Sequence, residues 1–361
     1  MEKRGLIFIP DISGFTRFVN ETEIEHSRQI IQELLETIIN ANEIGLEISE
    51  IEGDAILFYK YGEAPDLKEL YKQVEKMFCE FHRHLIAYEK HRLCQCTACK
   101  SAANLTLKVI SHYGEFTGYN VKNFSKLIGK DIIVAHQLLK NDIEQHEYWL
   151  VTEGLMKNES PELRPWMNWN TSMKQTDTGQ IPYQYTQLSP LKNEIPPASS
   201  PPLEIPKKVK VFSVSKEFKK DINTLFFSAV NFNFRGRWQV GVKSADQVSH
   251  ILPQVGTHHR CVLEKGEQVI MYTSSFSYEP EKIIYSETAE DKKNACYFTF
   301  EKVETGKTRV TIDFYLKKNP LMQLMFNIMM KKKIEQGFRQ SLENLDEMVK
   351  DIRLPVEGET V

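Results

Sequence analysis

The sequence predicts an α+β protein of two domains, and three observations carry that expectation. Its 361 residues exceed the roughly 100–200 that one domain usually holds, so each half is long enough for its own core. Six prolines fall within the 18 residues of 190–207, a density that blocks helix and central strand alike and makes an extended spacer. Before the spacer, helical periodicities alternate with strands; after it comes a run of hairpins closed by one helix. The expected organisation is a domain over 1–190, a linker over 191–207, a second domain over 208–351 and a flexible tail over 352–361.

In the first half, Leu6–Pro10 reads as a short apolar strand ending at Asp11. Thr22 with Glu25 has the form of a capping box, opening a helix in which Ile31, Leu34, Leu35, Ile38 and Ile39 recur at helical spacing. Leu46–Tyr59 reads as a hairpin turned at Glu52–Gly53. Leu67, Leu70, Tyr71, Val74, Met77, Phe78 and Phe81 line one stripe of a second helix. Leu105–Tyr113 alternates as a strand, and Lys130–Lys140 follows Gly129 as a third helix. Together they predict a mixed sheet covered on one side.

In the second half, Lys208–Ser215 reads as a strand and Phe218–Val230 as a short helix pair. Strands are expected near 233–243, 257–263, 268–278, 282–288, 295–303 and 307–317, with hairpin turns at 264–267 and 304–307. One long amphipathic helix over 319–350 closes the domain. Its Met322, Met325, Met329 and Met330 read as adaptable core and Lys331–Lys333 as a solvated face. His258, His259 and Trp238 read as ordinary half-buried residues.

Composition excludes some partners. With 46 basic against 49 acidic residues the net charge is −3, which gives no electrostatic case for nucleic acid. No apolar run approaches the roughly 18–20 residues of a membrane span. The N-terminal MEKRGLIFIPD has too brief an apolar stretch for a signal peptide. Cys94, Cys96 and Cys99 crowd into one loop, unlike a secreted disulfide framework. A soluble, cytoplasmic chain is the expectation. The same three cysteines with His91 offer the thiolates and imidazole of a structural zinc (Zn2+) site. Cys79 and His82 share a helix face just upstream. The spacing C-x-C-x-x-C is not that of a zinc finger, and reduced surface thiols are the other reading.

The stretches Phe8-Ile-Pro-Asp-Ile-Ser-Gly-Phe-Thr16 and Ile51-Glu-Gly-Asp-Ala-Ile-Leu57 carry the most chemistry. Asp11 ends one strand and Asp54 starts the second arm of a hairpin. If the strands are neighbours, the two carboxylates meet at one sheet edge, where they suit hard divalent cations such as Mg2+ or Mn2+. Taken singly, each aspartate is also an ordinary cap or turn residue.

These residues resemble the class III adenylate and guanylate cyclases, whose first metal motif F-x-D-I-x-G-F-T is matched by Phe8–Thr16 and whose Gly-Asp hairpin is matched by Gly53-Asp54. His112-Tyr-Gly-Glu115 and Ser125-Lys-Leu-Ile-Gly129 look like the family's later segments, so the resemblance covers roughly residues 5–155. The order also resembles an uncharacterised bacterial subgroup with a cysteine cluster and a second domain. The resemblance implies a ferredoxin-like cyclase-homology domain and a homodimer. It implies a nucleoside triphosphate held with Mg2+ or Mn2+ at Asp11 and Asp54, with nucleotide contacts from Phe15, Thr16, Glu50 and Lys126.

Departures from the family pattern bear on activity. Glu50 stands where adenylate cyclases usually have a lysine and guanylate cyclases often have glutamate; it shares period-2 phase with Leu46 and Ile48 and so points to the covered face. Lys126 matches neither usual base-reading residue, and a Lys126–Glu50 ion pair is the competing explanation. Ile133 and Gln137 stand where the family has asparagine and arginine, and no arginine lies in 126–145. Losing one preorganised charge-stabilising donor costs on the order of 10²–10³ in rate. Catalytic residues therefore stay unassigned.

Residues 208–350 resemble the START-like, polyketide-cyclase-like superfamily with its helix-grip fold. The carriers are the opening strand, Arg237-Trp-Gln239, the Gly256-Thr-His-His-Arg-Cys261 strand start, the hairpins and the closing helix. That likeness implies an apolar small molecule or lipid as ligand. The expectation for the chain is a signalling-type protein pairing a degenerate cyclase-like domain with a ligand-binding one. The alternatives are an active cyclase making cGMP or cAMP, and a non-enzymatic binding or scaffold protein.

Overall fold

A computed structural model of the chain describes residues 3–22, 24–92, 97–122, 124–156, 163–176, 179–196, 204–247 and 255–352. The chain divides into two compact units, 1–90 with 95–198, and 91–94 with 199–361.

The first unit opens with β1 (Lys3–Ser13), α1 (Phe15–Glu21) and α2 (Ile24–Asn40). β2 (Glu47–Glu52) and β3 (Ala55–Tyr61) form the expected hairpin, its turn made by Gly53 at φ 64°. α3 (Leu67–His91) and the short α4 (Thr97–Ser101) follow. Then come β4 (Thr106–Val121), β5 (Phe124–Ile128), α5 (Lys130–Leu139), β6 (Tyr148–Thr152), β7 (Asn170–Thr176) and β8 (Gly179–Gln187). The sheet runs β2-β3-β1-β4-β6-β8-β7, with β5 paired to β4. β1 lies antiparallel to both β3 and β4, so the segment from β1 to β4 has the strand order of a split βαβ, ferredoxin-like unit.

Both faces of this sheet are covered, where alternation in the sequence suggested one. Ile7, Ile9, Leu57 and Ile110 pack against Ile132, Ala135 and Leu138 of α5. Leu6 and Phe8 point the other way, as successive strand residues must, and are equally buried. On that side α3 brings Tyr71 over Trp149, ring centroids 6.1 Å apart. A central strand buried on both faces reads as a continuous apolar run, which is what Leu6–Ile9 is.

One local expectation is corrected, and another falls partly outside the described residues. The Thr22 hydroxyl donates to the carbonyl of Phe18 at the end of α1, a seven-residue helix with no periodic signal of its own, while the Glu25 side chain of the expected capping box lies outside the described residues. The proline-rich linker also starts later than residue 191, because Leu191 and Ile195 are buried around a 3-10 turn at Ser189–Glu194. Residues 197–203 of the linker and 353–361 of the tail lie outside the described residues.

The second unit holds β9 (Lys208–Phe218), α6 (Ile222–Val230), α7 (Phe232–Trp238), β10 (Val242–Gln247), β11 (His258–Leu263), β12 (Gln268–Glu279), β13 (Lys282–Ala289), β14 (Asn294–Glu304) and β15 (Lys307–Lys317). α8 (Pro320–Met329) and α9 (Lys331–Val349) close it. The sheet is an antiparallel meander from β10 to β15 with β9 added beside β15. Its core joins Phe212, Leu225, Trp238, Phe298 and Phe314 to Leu342, Leu345 and Met348 of α9.

Three expectations for this unit change. The strand near 233–243 is replaced by α7, capped by Asn231, whose side chain accepts from the Asn233 amide at 3.0 Å. The single closing helix is broken at Met330, and Met325, Met329 and Met330 are exposed rather than core. His259 and Trp238 are fully buried, not half-buried.

Candidate functional site

The site forms where β1 ends beside the β2–β3 turn. In the sheet register Asp11 sits opposite Ala55 on one side and Lys108 on the other. The amide of Ile12 donates to the carbonyl of Asp54 at 3.0 Å, which pins the turn to the end of β1. The Phe15 ring lies 3.7 Å from where a Cβ on Gly53 would stand, so α1 covers the same turn; Thr16 next to it is exposed.

Electrostatics at this corner are unbalanced. Burial pushes the Asp11 carboxyl above its ordinary value, against the pull of Lys108, whose Nζ lies 3.4 Å from Asp11 Oδ1. Burial, and then the charge of Asp11, lift Asp54 to about 6. Lys108 draws both acids down but supplies only one positive charge, and its Nζ is also 3.5 Å from the carbonyl of Leu139. Two partly desolvated carboxylates sharing one lysine retain a surplus negative charge, and oxygen donors with surplus charge fit a hard cation. Beyond the end of β1 an open cleft of about 420 Å³ is lined by Ser13, Gly14, Asn104, Thr106 and His146. Ser13 Oγ is buried there without a hydrogen-bond partner among the described residues, and the charge of His146 also favours ionised Asp11.

α5 forms the neighbouring wall and is clamped to the sheet at its start. Asp131 accepts from His112 Nε2 at 2.9 Å and from the Glu115 amide at 2.6 Å, which holds its carboxyl below the usual range. His112 Nδ1 is 2.7 Å from the Thr152 hydroxyl. The helix then presents Ile133, 57% exposed, and Gln137, whose Oε1 is buried without a hydrogen-bond partner among the described residues. Neither carries charge.

Glu50 and Lys126 form an ion pair, with Lys126 Nζ donating to Glu50 Oε2. Glu50, Glu52 and His136 bring ligand atoms within 4.8 Å of one another, the one such group among the described residues. Of the expected zinc ligands, Cys94 and Cys96 lie outside the described residues, as does the side chain of His91; Cys99 is buried in α4. Burial raises the Cys79 thiol to about 11 and lowers the His82 imidazole to about 4.

Sequence reasoning missed Lys108 and the Asp131–His112 clamp. Lys108 lies in a stretch legible only as an alternating strand, and its place beside Asp11 depends on the register of β4 with β1. Asp131 carried a signal that was passed over, an acid in the first turn of a helix.

A family model described as a protein of unknown function (DUF2652) matches residues 31–148. The uncharacterised protein Rv2561/Rv2562 of Mycobacterium tuberculosis is 31% identical over 121 residues, which is 34% of this chain and 56% of that protein. The chain thus spans about half the length of this curated relative. Among solved structures, a bacterial light-regulated adenylyl cyclase is 14% identical with a TM-score of 0.39, covering 54% of this chain and 97% of that one. The adenylyl cyclase CyaB from P. aeruginosa gives 14% and 0.39, with 51% and 94% covered. The guanylyl cyclase Cya2 gives 13% and 0.37, with 52% and 92% covered. Likenesses of this size carry no argument about function. No helix among the described residues is long and apolar enough to cross a membrane.

Proposed function

We propose that the first unit is a class III cyclase-like domain that binds a nucleoside triphosphate with Mg2+ or Mn2+ and turns it over little or not at all. The observation that carries this reading is the pair Asp11 and Asp54, desolvated, mutually repelling and served by one lysine. Asp11 and Asp54 would hold the cation, which when bound supplies charge neutralisation for phosphoryl chemistry. Lys108 must give up Asp11 as the cation arrives, so binding exchanges an internal cation for an external one. The resemblance of Phe8–Thr16 and Gly53-Asp54 to the family's metal motifs supports the same assignment, with a homodimer implied. Ile133 and Gln137 offer no charge to a phosphoryl group, and that is the physical reason to expect little turnover.

The second unit is read as a helix-grip, START-like domain. Its order of strand, two helices, six strands and closing helices supports this, as does α9 packed on the sheet. A ligand entering between helix and sheet would meet charge as well as apolar surface, because Arg235 of α7 and Glu287 of β13 pair there in full burial. A non-enzymatic scaffold is the second reading. It is favoured by Lys108 on Asp11 and Lys126 on Glu50, which already occupy the groups a metal and a base would use.

The test is turnover by purified protein with Mn2+ and ATP or GTP, read by mass spectrometry beside melting curves. The proposal expects melting raised by the Mn–nucleotide pair and no cyclic nucleotide above the Asp54→Ala background. Cyclic product lost in both Asp11→Ala and Asp54→Ala would instead establish an active cyclase. No melting shift with either nucleotide would leave the scaffold reading.

A further inference from the structure

α8 does not behave as the core helix its composition suggests. One side is anchored: Phe326 is its one buried residue and stacks on Phe314 at 5.4 Å between centroids, while Met322 packs on the same core. The other side carries Leu321, Leu324, Met325 and Ile328 at i, i+3, i+4 and i+7, continued by Met329 and Met330. All six are exposed, Leu321 at 69%, Ile328 at 75% and Met329 at 74%. Single exposed leucines need no explanation, but five exposed large apolar side chains on a ten-residue helix, with a sixth directly after it, do.

Charge identifies what would cover them. Lys317 and Lys318 precede the helix and Lys331, Lys332 and Lys333 follow it; between Lys317 and Ile334 there is no acidic residue. None of these five lysines forms an ion pair among the described residues, in a unit where many other lysines do. An apolar helix face collared at both ends by unpaired lysines matches the boundary of a bilayer rich in anionic headgroups. The apolar side chains enter the acyl region and the lysines reach phosphates and carboxylates at its surface. The helix spans about 15 Å at 1.5 Å per residue, half the hydrocarbon thickness, so it lies in the surface plane and does not cross.

We propose that α8 and its lysine collar form a peripheral docking surface for anionic phospholipid bilayers, independent of any chemistry in the first unit. A second copy of the chain would cover the apolar stripe equally well but would bring five more lysines to the same place, and like charges at close range disfavour it.

The test is flotation of the full chain with vesicles of phosphatidylcholine alone and of phosphatidylcholine mixed with phosphatidylserine. Binding is expected to the mixed vesicles only and to weaken with added salt. The combined Lys331→Glu, Lys332→Glu and Lys333→Glu variant should bind at least about 100-fold more weakly, on about five-fold per lysine. Ile328→Asp should lose at least about ten-fold. Both changes are at the surface, so unchanged melting curves show that the fold survives. No association with either vesicle, or association that Ile328→Asp leaves intact, overturns the proposal. Dimerisation by sedimentation velocity that Ile328→Asp abolishes, without vesicle binding, overturns it in favour of a second copy.

Discussion

Replacing Asp54 with asparagine should make the metal-free protein more stable at neutral pH. Asp54 titrates near 6 in the folded chain against an ordinary 3.8, chiefly from burial and then from Asp11. A carboxyl raised in this way is protonated in both states below pH 3.8 and then affects nothing. As pH rises from there to 6 the unfolded chain ionises first, so stability falls, and above 6 the full penalty stands. The shift corresponds to at most about 3 kcal/mol at 1.36 kcal/mol per pH unit. Asp54 is half-buried, so solvent screening reduces this to about 1 kcal/mol. That is about 2–4 °C in melting temperature for a unit of this size. Asparagine keeps the shape and the backbone carbonyl that accepts from Ile12. The assay is thermal unfolding of wild type and Asp54→Asn, without metal, between pH 3.5 and pH 8. Stabilisation confined to the upper range is expected; an equal gain at pH 3.5, or a loss at pH 8, would refute its electrostatic origin.

Other perturbations follow from neighbouring geometry. Lys108→Met removes the cation that competes for Asp11, so Mn2+ should bind at least about ten-fold more tightly by calorimetry; weaker binding would assign Lys108 a supporting role. In the second unit Arg235 Nη1 donates to Glu287 Oε2 at 3.1 Å and Nη2 to Oε1, both side chains being buried. Glu287→Ala should therefore cost about 3–5 kcal/mol in urea unfolding, with much of it recovered when Arg235→Met is added. Gly114→Ala would place a methyl inside contact distance of Asp131. It should push α5 from β4 and destabilise by about 2 kcal/mol, read as a lower melting temperature.

How much of this was legible in the sequence depended on range. The β2–β3 hairpin, the stripe of α3 and the end of β1 are encoded within a few turns of chain, by Gly53, by helical periodicity and by an apolar run. The meeting of Asp11 with Asp54 followed because both sit at strand ends. Other features needed partners remote in sequence. Phe232, Phe234 and Trp238 alternate as a strand would, but the Asn231 cap, the burial of Trp238 and the pairing of Arg235 with Glu287 of β13 make the segment helical. The break at Met330 leaves no mark in periodicity, since apolar spacing continues across it. The Lys126–Glu50 ion pair, 76 positions apart, is the expected competitor to base reading, but period-2 phase does not give the face of Glu50: a register shift separates it from Ile48, which is exposed.

Binding of Mn2+ by electron paramagnetic resonance, which counts free ion directly, tests the central assignment most directly. Wild type should take up Mn2+ in the presence of a nucleoside triphosphate, and Asp11→Asn and Asp54→Asn should each abolish that uptake while still folding. Uptake unchanged in both variants, or none by the wild type, would contradict the placement of the metal–nucleotide site between the end of β1 and the β2–β3 turn.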